Sequence, residues 1–263
     1  MNLDLNNRLS IVTGSTAGIG YAIAEALARE GAHVIINGRT RQAVDQAAER
    51  MAQETGGKIF TYSGDLSTEE SAQQLARQFP DVEILVNNLG IFEVKSFENI
   101  PDADWRRVFE INVLSGVRLA RLFLPNMKRH NWGRIIFISS ESAIQIPPEM
   151  IHYGMTKAAQ IAISRGLAES LSGTGITVNS VLPGPTKSRG VSQFVESLAK
   201  SEGKSFEEFE KRFFDKVRPT SLIKRFASPT EVASLVVYLA SPRSSATTGA
   251  ALRVDGGVLK SAF

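Results

Sequence analysis

A chain of 263 residues with 43% apolar side chains has material for one large α/β domain with a sizeable core, and its lack of cysteine excludes disulfides, thiol nucleophiles and thiolate metal sites. The formal charge of +3 is small, and the densest basic patch, Lys128-Arg129-His130 with Arg134, reads as a solvated loop before a strand, which argues against a nucleic-acid partner. The opening residues carry no basic region followed by an apolar one, and no apolar run reaches the roughly 18 residues of a membrane span, so a cytoplasmic protein without a membrane partner is expected.

From residue 8 onward apolar runs alternate with helical patterns, with no repeat, low-complexity stretch or linker. Strands are predicted near 8–14, 32–37, 58–62, 83–88, 133–139, 176–182 and 250–254, with helices between them. Unbroken runs such as Ile84-Leu85-Val86 and Ile135-Ile136-Phe137-Ile138 suit strands covered on both faces. The expected architecture is therefore α/β: a single-domain Rossmann fold over 1–263, with a seven-stranded, mostly parallel, doubly wound sheet and helices on both faces. Right-handed crossovers put the loops that follow strands on one edge, where ligands bind at the reversal of strand order.

The polar clusters fall in those loops. Thr13-Gly14-Ser15-Thr16-Ala17-Gly18-Ile19-Gly20 follows the first strand and opens a helix, so its glycines allow a tight turn and close backbone approach to a pyrophosphate at the helix N-terminus. The second strand ends Asn37-Gly38-Arg39, with no carboxylate for an adenosine ribose. A guanidinium there suits a 2′-phosphate, so Arg39, with Arg41 as a possible second, argues for NADP, while NAD stays open and Arg39 could simply begin a surface helix. Asp65-Leu66 after the third strand reads either as an adenine contact or as a cap for the next helix. Asn87-Asn88-Leu89-Gly90 closes the fourth strand with short amides suited to backbone or ribose, or to an ordinary turn. Asn112 interrupts a helical pattern from Phe109 to Leu124, where a local distortion with a bound water would account for it.

Ser139-Ser140 ends the fifth strand, and thirteen residues on, Tyr153 and Lys157 lie one helical turn apart on the same face. A phenol holds its proton up to a pKa of about 10, and a fixed cation beside it favours phenolate. The pairing can thus make an acid of Tyr153, although a surface tyrosine beside a solvated lysine has the same spacing. Phe206, Phe209, Phe213 and Val217 recur at helical spacing within 187–217, read either as an amphipathic substrate flap or as a helix packed on its own domain. His152 is expected on a wall or at the surface. His33, His130 and His152 are not at ligand spacing, so no metal is expected.

In this order, Thr13-Gly14-x-x-x-Gly18-x-Gly20, Asn87-Asn88-x-Gly90, Asn112, Ser140, Tyr153-x-x-x-Lys157 and Pro183-Gly184 resemble the short-chain dehydrogenase/reductase family in its compact form, over nearly the whole chain. The resemblance implies NADP-dependent hydride transfer to or from a carbonyl or secondary alcohol. Tyr153 would be the general acid or base and Ser140 would hold the substrate oxygen. Lys157 would bind the nicotinamide ribose and lower the tyrosine pKa, and Asn112 would anchor a water linking Lys157 to solvent. Gly14, Ser15, Thr16, Gly18, Ile19 and Gly20 would cradle the cofactor, with Arg39 at the 2′-phosphate, Asp65 and Leu66 at the adenine, Asn88 and Gly90 at the ribose, and Pro183, Gly184 and Thr186 at the carboxamide. It also implies a homotetramer. Departures are Leu89 where alanine is usual, Ala17 where many NADP-dependent members carry a basic residue, and Ser188 in place of a common threonine. A reductase of C=C bonds and a non-catalytic NADP-binding sensor or scaffold are the rival readings. The first substrate expected is a 3-oxoacyl thioester, with a small ketone, sugar or steroid as alternatives.

Overall fold

The computed structural model describes residues 2–187 and 205–262. Seven strands form one sheet: β1 (Leu9–Val12), β2 (His33–Gly38), β3 (Ile59–Ser63), β4 (Ile84–Asn87), β5 (Gly133–Ile138), β6 (Ile176–Pro183) and β7 (Ala251–Val254). Their order is β3-β2-β1-β4-β5-β6-β7, and every pairing is parallel, where the sequence left room for an antiparallel strand. The order reverses between β1 and β4, which opens a crevice at the strands' carboxyl ends.

Successive residues of a strand face opposite sides, so the unbroken apolar runs feed two cores. Val34 and Ile36 join one, with α1 (Gly18–Arg29), α2 (Arg41–Thr55) and a late helix, Pro229–Ala240. Ile35 joins the other, with α3 (Glu69–Gln78), α5 (Ser115–His130) and α6 (Ile151–Ser170). The remaining long-helix segment, α4 (Asp102–Phe109), runs through a π-helical turn, Glu110–Leu114, directly into α5. Phe206–Arg212 is α7 and continues as a second π-helical stretch, Phe213–Val217; the late helix is α8. The flap expected over 187–217 is thus helical over 206–217, while 188–204, including Ser188, lies outside the described residues.

Two expectations change. Lys128, Arg129 and His130 form the last turn of α5, not a loop, where cations meet the negative end of the helix dipole before Asn131 closes it at φ 48°. Arg134 is not solvated: it is 2% exposed within β5 and donates to the carbonyls of Gly133, Gly175 and Ser241. Burial pulls its pKa down to about 10, helped by the neighbouring Arg8 cation. Among the described residues no helix is long and apolar enough to cross a membrane, and no cluster of metal-ligating side chains occurs.

Candidate active site

The glycine-rich turn is held in shape by its neighbours. Gly14 and Gly18 sit at φ 61°, a region that favours glycine. A Cβ on Gly20 would stand 2.5 Å from both Gly14 O and the Asn88 amide, so backbone replaces side chain there. Ser15 turns inward: it is fully buried, and its hydroxyl accepts the Asn37 N–H at 2.9 Å. Asn37 answers by accepting the Gly14 N–H and donating to the Tyr62 and Gly64 carbonyls, which fixes the turn to β2 and β3. Ser15 is thereby a clamp within the protein, while Thr16 and Ile19 stay half-buried. Leu89 lies 3.6 Å from the position a Gly14 Cβ would take, an ordinary contact.

Around that turn the other expected residues divide. Arg39 is exposed at the end of β2 and makes no ion pair among the described residues, whereas Arg41 is held by Asp45 at 3.2 Å one turn along α2. Asp65 is exposed and accepts from the Ser67 N–H and hydroxyl, while Thr68, not Asp65, caps α3. Leu66 is 1% exposed, with its side chain in the core. Asn88 donates to the Thr13 and Gly14 carbonyls and so ties the β4 loop to the glycine turn. Gly90 lies against both Asn112 and Lys157, each 3.5 Å from where a Cβ would stand.

The reactive groups converge at the carboxyl end of β5. Ser139 fastens α6 to that strand by donating to the Lys157 carbonyl at 2.8 Å, and the Lys157 ammonium donates to the Ile138 carbonyl at 2.8 Å. Its nitrogen lies 5.5 Å from the centre of the Tyr153 ring. Ser140 caps a short turn, Glu141–Ala143, accepting from the Ser142 N–H, and donates to Glu141 Oε2 at 2.6 Å. A cleft of about 530 Å³ opens over these groups. Ile19, Asn88, Gly90, Pro183, Gly184 and Thr186 bound it on the strand-edge side, and Phe92, Val94, Met150, Phe209, Phe213 and Val217 on the other.

Asn112 sits in the π-helical turn, so the distortion expected there is present. Its side chain accepts from the Ile91 N–H at 2.8 Å and donates to the Ile91 carbonyl and the Thr156 hydroxyl, and the wider turn supplies the room. A side chain also joins Asn112 to Lys157. Gln160 donates to the Asn112 carbonyl at 2.6 Å and accepts from Lys157 Nζ at 3.3 Å, and each partner fixes which end of the amide it meets.

The electrostatics also differ from expectation. Burial and then the Glu141 charge push the Tyr153 phenol well above its ordinary value, and the Ser140 hydroxyl only partly offsets them. Desolvation pulls Lys157 down to about 7. The proton on the cation expected to acidify the phenol is thus itself held less firmly, because burial penalises both charged forms. Sequence reasoning overlooked Glu141, Gln160 and Arg218, which donates to Glu141 Oε1 at 3.3 Å. Gln160 was recoverable, lying three residues from Lys157 on one helix face. Arg218 had no local signal. His152, expected on a wall or at the surface, is fully buried against Trp105 of α4.

Comparison with known proteins agrees with this geometry. A family model described as enoyl-(acyl carrier protein) reductase matches residues 14–259. YvaG of Bacillus subtilis (strain 168), an uncharacterized oxidoreductase, is 49% identical over the full length of both chains. The chain belongs to the short-chain dehydrogenase/reductase family. As a member it is an oxidoreductase of the alcohol/carbonyl class dependent on NAD(P). Its resemblance to the 3-oxoacyl-(acyl-carrier-protein) reductase of Aquifex aeolicus (strain VF5) is 33% identity, covering 98% of this chain and 100% of that one. A crystal structure of L-sorbose reductase from Gluconobacter frateurii, complexed with NADPH and L-sorbose, superposes with a TM-score of 0.94 at 32% identity, over 99% of this chain and 100% of that one.

The residues present fit a nicotinamide dinucleotide. At the reversal of strand order the glycine turn offers bare backbone, and a Cβ on Gly20 would break its contact with Asn88. The loop after β6 lines the same cleft through Pro183, Gly184 and Thr186, and Gly184 lets it pack on the Asp255 backbone, which a Cβ would meet at 2.6–2.8 Å.

Proposed function

We propose that this reductase prefers NADPH and reduces a carbonyl, with Tyr153 as the acid. The observation that carries the reading is the meeting of Ser140, Tyr153 and Lys157 in one cleft, which Ile19 of the glycine turn also lines. When bound, the dihydronicotinamide supplies hydride. The remaining work falls to the chain. Gly14, Thr16, Gly18, Ile19 and Gly20 receive the pyrophosphate, and Arg39, exposed just after β2 and in no ion pair among the described residues, receives the 2′-phosphate. Asn88, Gly90, Pro183, Gly184 and Thr186 line the path to the reacting end. Lys157 keeps donor capacity beyond Ile138 and Gln160 for ribose hydroxyls. Tyr153 delivers its proton to the substrate oxygen, and its raised affinity for that proton keeps the acid form loaded at neutral pH. Ser140 and Asn112 complete the set, the first beside the oxygen and the second holding Ile91 and α6 in register.

The apolar wall of Phe92, Val94, Met150, Phe209 and Phe213 supports a hydrophobic or extended carbonyl, and a 3-oxoacyl thioester is the first such compound we propose. The four-residue spacing of Tyr153 and Lys157 speaks against C=C reduction. The apolar groove between α5 and α6 supports association into a homotetramer through those helices.

A panel of 3-oxoacyl thioesters, simple ketones, ketoses and enoyl thioesters, each with NADPH and with NADH, tests the reading through loss of reduced-cofactor absorbance. Turnover of carbonyl compounds with NADPH preferred is expected. Tyr153→Phe should lose roughly 10²- to 10⁴-fold in kcat while NADPH still binds. Undiminished turnover in that variant would overturn the role given to Tyr153, and NADPH binding without any carbonyl reduction would overturn the reading and leave the sensor.

A further inference from the structure

The carboxylate of Glu141 stands directly behind Ser140. β5 ends at Ile138, the chain passes through Ser139 and Ser140, and the turn Glu141–Ala143 folds the next side chain into the cleft. Glu141 Oε2 accepts a hydrogen bond from the Ser140 hydroxyl at 2.6 Å and Oε1 accepts one from Arg218 Nε at 3.3 Å. Both side chains of the ion pair are largely withdrawn from water, at 6% and 13% exposure. A serine hydroxyl has one proton to give, so while it points at Glu141 the Ser140 oxygen offers lone pairs, one of them already on the Ser142 N–H. The carboxylate therefore decides which way the hydroxyl of Ser140 faces. Arg218 follows the same helical stretch that brings Phe209, Phe213 and Val217 to the cleft.

We propose that Glu141 is a positioning residue and Arg218 its counter-ion: together they orient the Ser140 hydroxyl, set the charge beside Tyr153 and join both to the segment 206–218. The proposal rests on the reading of Tyr153 as the acid. Among the described residues, the other charged groups that line the cleft with Tyr153 are Lys157 one turn along α6, Glu149 just before that helix, and Arg212 on the segment that leads to Arg218. Of these, Glu141 is the carboxylate bonded to the neighbouring Ser140. Its negative charge favours the protonated phenol, and the Arg218 cation offsets that charge. Loss of the carboxylate should ease ionisation of Tyr153, loss of the guanidinium should hinder it, and loss of both should nearly cancel. A purely structural role gives no such pattern of signs.

The test is the pH profile of kcat/KM for carbonyl reduction in wild type, Glu141→Gln, Arg218→Met and the double variant. The alkaline limb should move to lower pH in Glu141→Gln by about one unit, to higher pH in Arg218→Met, and return close to wild type in the double variant. The effects should fall on kcat, with KM for NADPH little changed. Arg218→Met strands a buried carboxylate and could fail to fold, but the double variant leaves no unpaired charge and carries the comparison with Glu141→Gln alone. A limb that moves the same way in both single variants, or stays put in Glu141→Gln while turnover falls, refutes the proposal. Ultraviolet difference titration of the cofactor-free protein against Tyr153→Phe reads the same phenol without turnover. A lowered ionisation in Glu141→Gln alongside an inactive wild type would sink the functional reading and leave the ion pair's influence on Tyr153 standing; an unmoved phenol would sink the pair's role.

Discussion

Lys157 is 4% exposed, and its titration near pH 7 makes it a cost to the fold as well as a part of the site. An unfolded lysine keeps its proton to a pH of about 10.4, so between about 7 and 10 the unfolded chain holds more protons than the folded one. Stability contributed through this group therefore rises with pH across that window, and the penalty is full below it. In Lys157→Met the Ile138 carbonyl and Gln160 Oε1 lose a partner, which costs about 1–3 kcal/mol for each buried group left unmet. That loss does not depend on pH. Urea unfolding should accordingly show the variant losing ground to wild type steadily from pH 7 to pH 10, while its turnover collapses at every pH; a constant difference would mean that the lysine is not desolvated as described. Tyr153, Ser140 and Lys157 were readable in the sequence because each is fixed by a local rule, a strand end or a helical turn. The direction in which they shift one another was not, because it is set by burial and by Glu141, whose partner Arg218 lies 77 residues away in sequence.

Helix α6 has two faces with separate duties. The face with Tyr153 and Lys157 meets the cleft, and the one with His152 packs on α4, where the imidazole lies 5.9 Å from the Trp105 ring in an edge-on contact. Neither ring nitrogen has a hydrogen-bond partner among the described residues. Burial pulls the His152 pKa down; Glu93 and Asp104 oppose the shift while Lys95 and Arg107 add to it. Because the folded value lies below the ordinary one of about 6.5, the unfolded chain binds the extra proton first as the solution is acidified. Stability through this group is intact above pH 6.5 and falls below it, by at most about 1.4 kcal/mol per pH unit until the folded histidine also protonates. His152→Leu should remove that component, so its unfolding midpoint should decline less than wild type between pH 6.5 and 5. Parallel declines would count against a neutral buried imidazole. The sequence placed His152 roughly a quarter-turn from Tyr153, which is right as far as helical geometry goes, but α4 covers that quarter and only the tertiary packing shows it. The π-helical turn at Asn112 was easier to foresee, since asparagine is a poor helix former with a side chain that suits a break in the ladder.

Over the whole molecule, the parallel sheet was legible because strands covered on both faces must read as unbroken apolar runs, and the two cores receive alternate residues of those runs. Contact between copies leaves a weaker trace, because a helix that meets a partner differs from a surface helix by only a few side chains. Between α5 and α6, Val117, Ala120, Leu124, Pro125, Ile163 and Leu167 line a groove of about 360 Å³, with Arg121 and Lys128 also on its lining, and this is the contact proposed above. Leu124 and Ile163 are only half-buried within one chain, so a carboxylate at either position can reach water and the fold should survive. In the proposed homotetramer the same carboxylates would be sealed in an apolar contact without a partner, a burial that association cannot sustain. Leu124→Glu and Ile163→Glu should therefore keep the far-ultraviolet circular dichroism of wild type and scatter light as smaller species. Since α6 also carries Tyr153 and Lys157, and α5 continues from the turn that holds Asn112, the dissociated variants should lose turnover along with mass. A variant that folds and retains the wild-type mass would show that this groove is not where the copies meet.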